Sequence, residues 1–158
     1  MIFTQKHQVV MALAPDADQY AADPSTDVIN MKLFGHCTFV LEEGAGGTGT
    51  VKIVAQACDN VAGDNPTAIN FRYRVTAAAG GDTFGALTET TVAADGYTTV
   101  AGAQKQLVIE IDAAELPDGQ PCVYLDLTEV VDDPCDAGIL AILSEPRYAA
   151  ETMPTAIA

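Results

Sequence analysis

The sequence has no tryptophan, few aromatic residues and few basic residues. Of its 158 residues 6 % are aromatic, and 7 lysines and arginines stand against 22 aspartates and glutamates, which gives a formal net charge of −15. Binding to nucleic acid or to anionic lipid requires basic side chains that replace the counterions of the phosphates. The composition therefore argues against nucleic acid and membrane surfaces as partners. The acidity favours solubility, with attraction to a basic partner surface as the alternative.

Long apolar runs and paired-cysteine motifs are also missing. No segment approaches the roughly 20 apolar residues that span a bilayer, and the N-terminus does not have the pattern of a signal peptide, so we expect synthesis in a cytoplasm. The two histidines, His7 and His36, do not have the spacing of a metal motif. We expect free thiols in the freshly made protein, with disulfides formed after release as the alternative. The cysteines are Cys37, Cys58, Cys122 and Cys135.

What the sequence does contain is a repeated alternation of apolar and polar residues. The alternation is clearest in residues 50–56 (TVKIVAQ), 69–75 (INFRYRV) and 106–112 (QLVIEID). A period of two is typical of strands with one buried face, and no helical pattern of ten or more residues is present. The sequence therefore predicts an all-β protein, an antiparallel β-sandwich of jelly-roll-like type with about eight strands.

The two ends differ from this middle part. Residues 1–26 hold one short apolar run and then a stretch rich in proline, aspartate and alanine, which predicts an extended N-terminal arm. We expect the β-sandwich domain in residues 27–148 and a C-terminal tail in residues 149–158. Because both ends carry apolar residues without a pattern for folding on themselves, we expect them to dock on a neighbouring subunit of a homo-oligomer.

No set of residues predicts an enzyme active site. His36 stands beside Cys37, but neighbours in a strand point to opposite faces, so this histidine is not placed to activate this thiol. Glu110 and Asp112 share a strand face that the alternation places in solvent. A catalytic pair of carboxylates instead needs a buried site that moves their pKa values apart. The glycine-rich loop 44–49 leads into a strand, whereas phosphate-binding loops lead into a helix. We expect no catalytic residues and no cofactor.

Calcium is the one metal ion whose ligands the sequence offers. Carboxylate and amide oxygens cluster in residues 58–66 and 131–138, and calcium prefers several oxygen ligands from one loop. Neither cluster has the twelve-residue spacing of an EF-hand, and Asp and Asn are the ordinary residues of turns. We therefore predict turns rather than metal sites at Asp59, Asn60, Asp64, Asn65, Asp132, Asp133 and Asp136.

A few basic and apolar positions indicate subunit contacts. Arg72 and Arg74 lie on one face of one predicted strand, where they either form ordinary surface ion pairs or reach an acidic group of a neighbouring subunit. Arginine and tyrosine are frequent at interfaces, and the C-terminal tail adds apolar side chains. The candidate interface residues are Arg72, Arg74, Arg147, Tyr148, Met153 and Ile157.

Two segments give the sequence a resemblance to a known class of proteins. Residues 33–44 (LFGHCTFVLEEG) and 142–149 (ILSEPRYA), together with the alternating strands between them, resemble small structural proteins of tailed-bacteriophage virions. The resemblance implies a non-catalytic β-sandwich, commonly trimeric, that binds the major capsid protein or other virion proteins. It implies a head decoration or cement protein on the outside of the capsid, made in the host cytoplasm and located in the virion.

Two alternatives remain at this point. Proteins with this resemblance also serve at the neck or collar, or on the tail, of the virion. A small carbohydrate-binding β-sandwich is the other class, but such modules stack exposed aromatic rings on sugars, and the chain has five tyrosines and no tryptophan.

Overall fold

Two antiparallel β-sheets pack against each other in the computed structural model, which describes residues 2–45, 47–101, 104–148 and 154–157. The predicted β-sandwich is confirmed. The described residues contain eight strands of three or more residues and three strands of two. The strands are β1 (Gln8–Asp16), β2 (Ile29–Asn30), β3 (Phe34–Glu43), β4 (Thr50–Cys58), β5 (Thr67–Ile69), β6 (Arg72–Val75), β7 (Thr88–Glu89), β8 (Tyr97–Thr98), β9 (Gln106–Asp112), β10 (Cys122–Val131) and β11 (Ala137–Pro146).

One sheet has the strand order β1-β11-β3-β9-β6-β7, and the other has the order β2-β10-β4-β5, with β8 also paired to β4. The helical structure described consists of three short 3-10 turns. Among the described residues, no helix is long and apolar enough to cross a membrane. The 3-10 turns are Phe3–Gln5, Ala93–Asp95 and Ala113–Glu115.

The core lies between the two sheets and is made by the faces that the alternation predicted. In β4 the side chains of Val51, Ile53, Ala55 and Ala57 are fully buried, while Lys52 is only half-buried. The inward residues of β9 and β11 alternate in the same way, and the buried ones are Leu107, Ile109, Ile111, Ile139, Ala141 and Leu143. Periodicity alone therefore identified the inner faces of β4 and β9 correctly.

The alternation in residues 69–75 is divided between the two sheets. The sequence predicts one strand here, but β5 ends at Ile69 in the five-stranded sheet and β6 begins at Arg72 in the six-stranded sheet. At the crossing, Phe71 is buried and its backbone N–H donates to the hydroxyl of Thr90. Both sheets turn their apolar face toward the same core, so the period of two continues where the chain passes from one sheet to the other. The alternation therefore does not reveal the change of sheet.

Strand β1 and the segment that follows it belong to the sandwich of their own chain. Strand β1 pairs with β11 from Gln8 to Asp16 and forms the edge of the six-stranded sheet. Beyond β1 the chain buries Tyr20 completely, and its hydroxyl donates a 2.7 Å hydrogen bond to Oε1 of Glu43. The segment expected to be an arm thus contributes a strand and a core residue.

Candidate functional site

The outer face of the six-stranded sheet carries a row of apolar side chains that solvent reaches. In the register of β1, β11, β3 and β9, Met11 lies beside Leu140, Leu140 beside Val40, and Val40 beside Val108. Register partners project to the same side of a sheet. The next row adds Val9 and Ile142. These six residues are named the apolar band here: Val9, Met11, Val40, Val108, Leu140 and Ile142.

The apolar band is most exposed at the edge of the sheet. The exposed fractions are 60 % for Met11, 48 % for Val9 and 40 % for Leu140. Strand β11 is apolar on both faces, and it lies inside the sheet between β1 and β3. Its inner side chains fill the core, and its outer ones supply the centre of the band.

A groove of about 610 Å³ opens at one end of the apolar band. Its floor is apolar and includes Met11, Leu13, Val40 and Leu140. Three exposed acidic residues line the same groove, and no lysine, arginine or histidine is among its described lining residues. The three are Asp16, Glu42 and Asp136, whereas the fourth acidic lining residue, Glu43, is buried and bonded to Tyr20. The groove therefore combines an apolar floor with negative charge.

A cluster of charged groups lies on the same outer face. Nε2 of His36 is 2.5 Å from Oε2 of Glu110, and Nδ1 of His36 is 2.6 Å from Oδ1 of Asp112. The hydroxyl of Thr38 donates a 2.8 Å hydrogen bond to the same oxygen of Glu110. The polar positions of β3 and β9 meet here because the strands are paired with His36 opposite Asp112 and Thr38 opposite Glu110.

The cluster shifts the acidity of its members. Hydrogen bonding to Glu110, opposed in part by burial, raises the pKa of His36 from 6.5 to about 9. Hydrogen bonding to His36 holds the pKa of Glu110 below its usual value. At neutral pH, His36 is therefore a cation held between two carboxylates.

Arg72 extends the cluster toward the edge. Its guanidinium lies 3.4 Å from Oδ2 of Asp112 and also pairs with the carboxylate of Glu115. Arg74, two residues along β6, instead donates a 2.9 Å hydrogen bond to the backbone carbonyl of Gly85. The two arginines share a face as predicted, and the contacts that the structure gives Arg72 are ion pairs within its own chain.

The remaining candidate interface residues follow β11 in the chain. The backbone N–H of Arg147 donates to the carbonyl of Leu33, and the side chain of Tyr148 is 75 % exposed. Ile157 packs against the core of its own chain, next to the buried Ala156. Met153 lies outside the described residues.

The two oxygen-rich loops use their side chains to hold turns. The side-chain amide of Asn60 donates to Asp64, and that of Asn65 donates to Asp59, at 2.9 and 2.7 Å. In the other loop, Asp133 accepts the backbone N–H and the hydroxyl of Thr48. In the part of the chain that the structure describes, no three His, Cys, Asp or Glu side chains are grouped as a metal would require.

Sequence reasoning missed the histidine cluster and the groove. It placed His36 and Cys37 on opposite faces, which is confirmed, since Cys37 is buried in the core while His36 faces outward. It also placed Glu110 and Asp112 together on an outer face. The available signal for the cluster was the set of polar residues that alternate with apolar ones in residues 34–43 and 106–112. The sequence does not show that these two strands are neighbours, because that depends on the topology.

The sequence matches no protein-family model, and no curated protein matches it. Among solved structures, the fold is similar to a crystal structure described as the SPBc2 prophage-derived protein YomS. The sequence identity is 14 %, the TM-score is 0.49, and the alignment covers 87 % of this chain and 91 % of that one. A similarity of this size does not by itself assign a function.

Proposed function

We propose that this chain is a structural protein of a tailed-phage virion that binds the outside of the capsid, as a decoration or cement protein. The observation that carries the proposal is the outer face of the six-stranded sheet, where the apolar band adjoins a groove lined by carboxylates. The resemblance of residues 33–44 and 142–149 to small virion proteins supplies the biological setting.

The apolar band supports a protein partner. Isolated apolar side chains are normal on protein surfaces, but contiguous rows across several strands mark interaction sites. Here the rows cross four paired strands, and the most exposed members, Met11 and Val9, lie on the edge strand β1. A partner that covers the band removes this apolar surface from water, and each Å² removed stabilises the complex by roughly 25 cal/mol.

The charge of the groove narrows the chemistry of that partner. The exposed residues Asp16, Glu42 and Asp136 line the groove, with no basic residue among the described lining, and the whole chain has a net charge of −15. The complementary surface is an apolar side chain flanked by lysine or arginine, because opposite charge at the rim guides association and fixes the orientation. We assign this surface to a segment of the major capsid protein that is exposed on the assembled head.

Particle binding tests the proposal directly. Heads purified from a phage strain that lacks the gene are mixed with the purified chain, and bound protein is measured after sedimentation. The variants Met11→Glu and Leu140→Glu place a charge on the apolar band without entering the core. We expect each to weaken binding by at least about tenfold, the effect of losing about 1.4 kcal/mol.

Matched controls separate the surface from the function. Leu87→Glu and Val92→Glu change residues that are 49 % and 51 % exposed away from the band, and binding should remain normal. If the wild-type chain binds heads and the band variants bind equally well, the surface is wrong but the function stands. If the chain binds isolated tails or necks, or only glycans, the decoration role is wrong.

The proposal includes a closed homo-oligomer, with a trimer favoured because a capsid lattice offers three-fold positions. Light scattering of the purified chain gives its mass in solution. A monomer at concentrations that saturate the heads would remove the trimer from the proposal.

A further inference from the structure

Cys58 and Cys122 lie directly opposite each other on neighbouring strands. Cys58 is the last residue of β4 and Cys122 is the first of β10, and the antiparallel register pairs them. Both side chains are buried, with exposed fractions of 0 % and 1 %. They are the one opposed cysteine pair in the described strand registers.

This pair belongs to the outer side of the five-stranded sheet. The next register pair, Ala57 and Val123, has both side chains in the core between the sheets. Because side chains alternate along a strand, Cys58 and Cys122 project the opposite way. The core cluster accordingly includes Cys37 and Cys135 but neither member of this pair.

A polar turn lies next to the pair. The thiol of Cys58 donates a 3.3 Å hydrogen bond to the carbonyl of Asn60, and the turn closes with a 3.0 Å bond from the N–H of Asp59 to the carbonyl of Asp64. The side chain of Gln120 donates to the carbonyl of Asn65 at 2.6 Å. The partners of these bonds are mostly exposed, so local opening of the turn requires no disruption of the core.

The register fits the geometry of a disulfide. Opposed residues of an antiparallel pair have Cα atoms about 4.5 or 5.5 Å apart, and disulfides bridge Cα separations of roughly 4.4–6.8 Å. We propose that Cys58 and Cys122 form an intrachain disulfide when the protein leaves the reducing cytoplasm, which makes them an oxidative modification site. Cys37 and Cys135 remain thiols.

The reaction is thiol–disulfide exchange with a small disulfide such as oxidised glutathione. One cysteine loses its proton, and its thiolate attacks the glutathione disulfide, which forms a mixed disulfide and releases one glutathione thiolate. The second cysteine then attacks the mixed disulfide as a thiolate and releases the second glutathione. The two protons end on the two glutathiones. Two protein thiols are thereby oxidised and one glutathione disulfide is reduced.

The environment sets the rate of this exchange. Burial raises the pKa of the Cys58 thiol to about 11 and also raises that of Cys122. Because only the thiolate attacks, oxidation of the folded protein is slow at neutral pH and faster at pH 9. Protein freshly made in a cytoplasm therefore stays reduced.

The bond would tie together strands that are distant in sequence. It closes the loop formed by residues 59–121, and this closure lowers the conformational entropy of the unfolded chain. We expect the oxidised protein to unfold about 5–10 °C above the reduced one.

Equilibration in glutathione redox buffer tests the site on the full chain. One sample is oxidised in the folded state at pH 9, and a second is refolded from denaturant in the same buffer, where access to the thiols is not limiting. Free thiols are then alkylated under denaturing conditions, and the mass and the cross-linked peptides are determined by mass spectrometry. We expect both samples to contain two alkylated thiols and a Cys58–Cys122 cross-link.

Four variants make the assignment specific. Cys58→Ser and Cys122→Ser should each abolish the cross-link and the rise in unfolding temperature. Cys37→Ala and Cys135→Ala should retain the cross-link and the rise relative to their own reduced forms. Four alkylated thiols in the refolded sample, or a cross-link that involves Cys37 or Cys135, would overturn the proposal. Particle binding is not involved, so this outcome is independent of the proposed function.

Discussion

Nε2 of His36 lies 2.5 Å from Oε2 of Glu110 on the outer face of the six-stranded sheet. Two strands 63 or more residues apart in the chain thus place a cation between two carboxylates, since Asp112 holds the other ring nitrogen at 2.6 Å. The side chain of His36 is 22 % exposed, so the pair is partly shielded from solvent. A charge pair of this kind makes stability depend on pH.

The free energy of unfolding should decrease as the pH rises from 6.5 to 9. The folded-state pKa of His36 is about 9 and its ordinary value is 6.5. The contribution of His36 to the free energy of unfolding is complete below pH 6.5 and is lost as the pH rises past about 9. The expected loss is roughly 1–3 kcal/mol. Urea unfolding at several pH values measures this loss.

The variant His36→Asn isolates that effect. It removes the titrating group, so the decrease between pH 6.5 and 9 should largely disappear. The control His7→Asn changes an N-terminal histidine outside the cluster and should leave the decrease in place. An unchanged slope in His36→Asn would show that another group is responsible.

Tyr20→Phe should destabilise the fold by roughly 1–3 kcal/mol, because it leaves a buried acceptor without its donor. The hydroxyl of Tyr20 is 2.7 Å from Oε1 of Glu43, and both residues are buried. Thermal unfolding measures the loss. The control Tyr148→Phe removes a hydroxyl from a side chain that is 75 % exposed and should have no effect. Equal stability of both variants would mean that the buried hydrogen bond contributes nothing.

Gly96→Ala should cost more stability than Gly119→Ala. Both glycines have positive φ, of 55° and 85°, so both substitutions carry backbone strain of roughly 1 kcal/mol. At Gly96 the added Cβ also meets the backbone carbonyl of Ile53, whereas at Gly119 nothing lies within 4 Å. Chemical denaturation of the two variants gives the difference. Equal losses would show that strain, and not the close approach to β4, decides both.

Deletion of residues 149–158 should lower the stability of the monomeric fold by roughly 1–2 kcal/mol. Ala156 is buried, Ile157 packs against the core, and the carbonyl of Ala156 accepts a 2.8 Å hydrogen bond from the N–H of Asn30. Thermal unfolding and light scattering are measured together. If stability is unchanged and the mass in solution falls, the tail docks on a neighbouring subunit, as the sequence alone predicted.

Much of the fold followed from local patterns. The inner faces of β4 and β9 were readable because a strand with a period of two must put its apolar half in the core. Local signals failed at residues 69–75, where the pattern is the same whether the chain continues one strand or crosses to the facing sheet.

The candidate site shows the same division. The sequence determined that Glu110, Arg72 and Arg74 lie on outer faces and that His36 and Cys37 project to opposite sides, because alternation fixes the side of each strand to which a residue projects. It did not determine that β3 lies between β11 and β9, or that β1 covers the edge of β11. Only that strand order joins the apolar rows into one band and brings His36 to Glu110, because contacts between paired strands depend on register, and register is set by packing of the whole core rather than by neighbours in the chain.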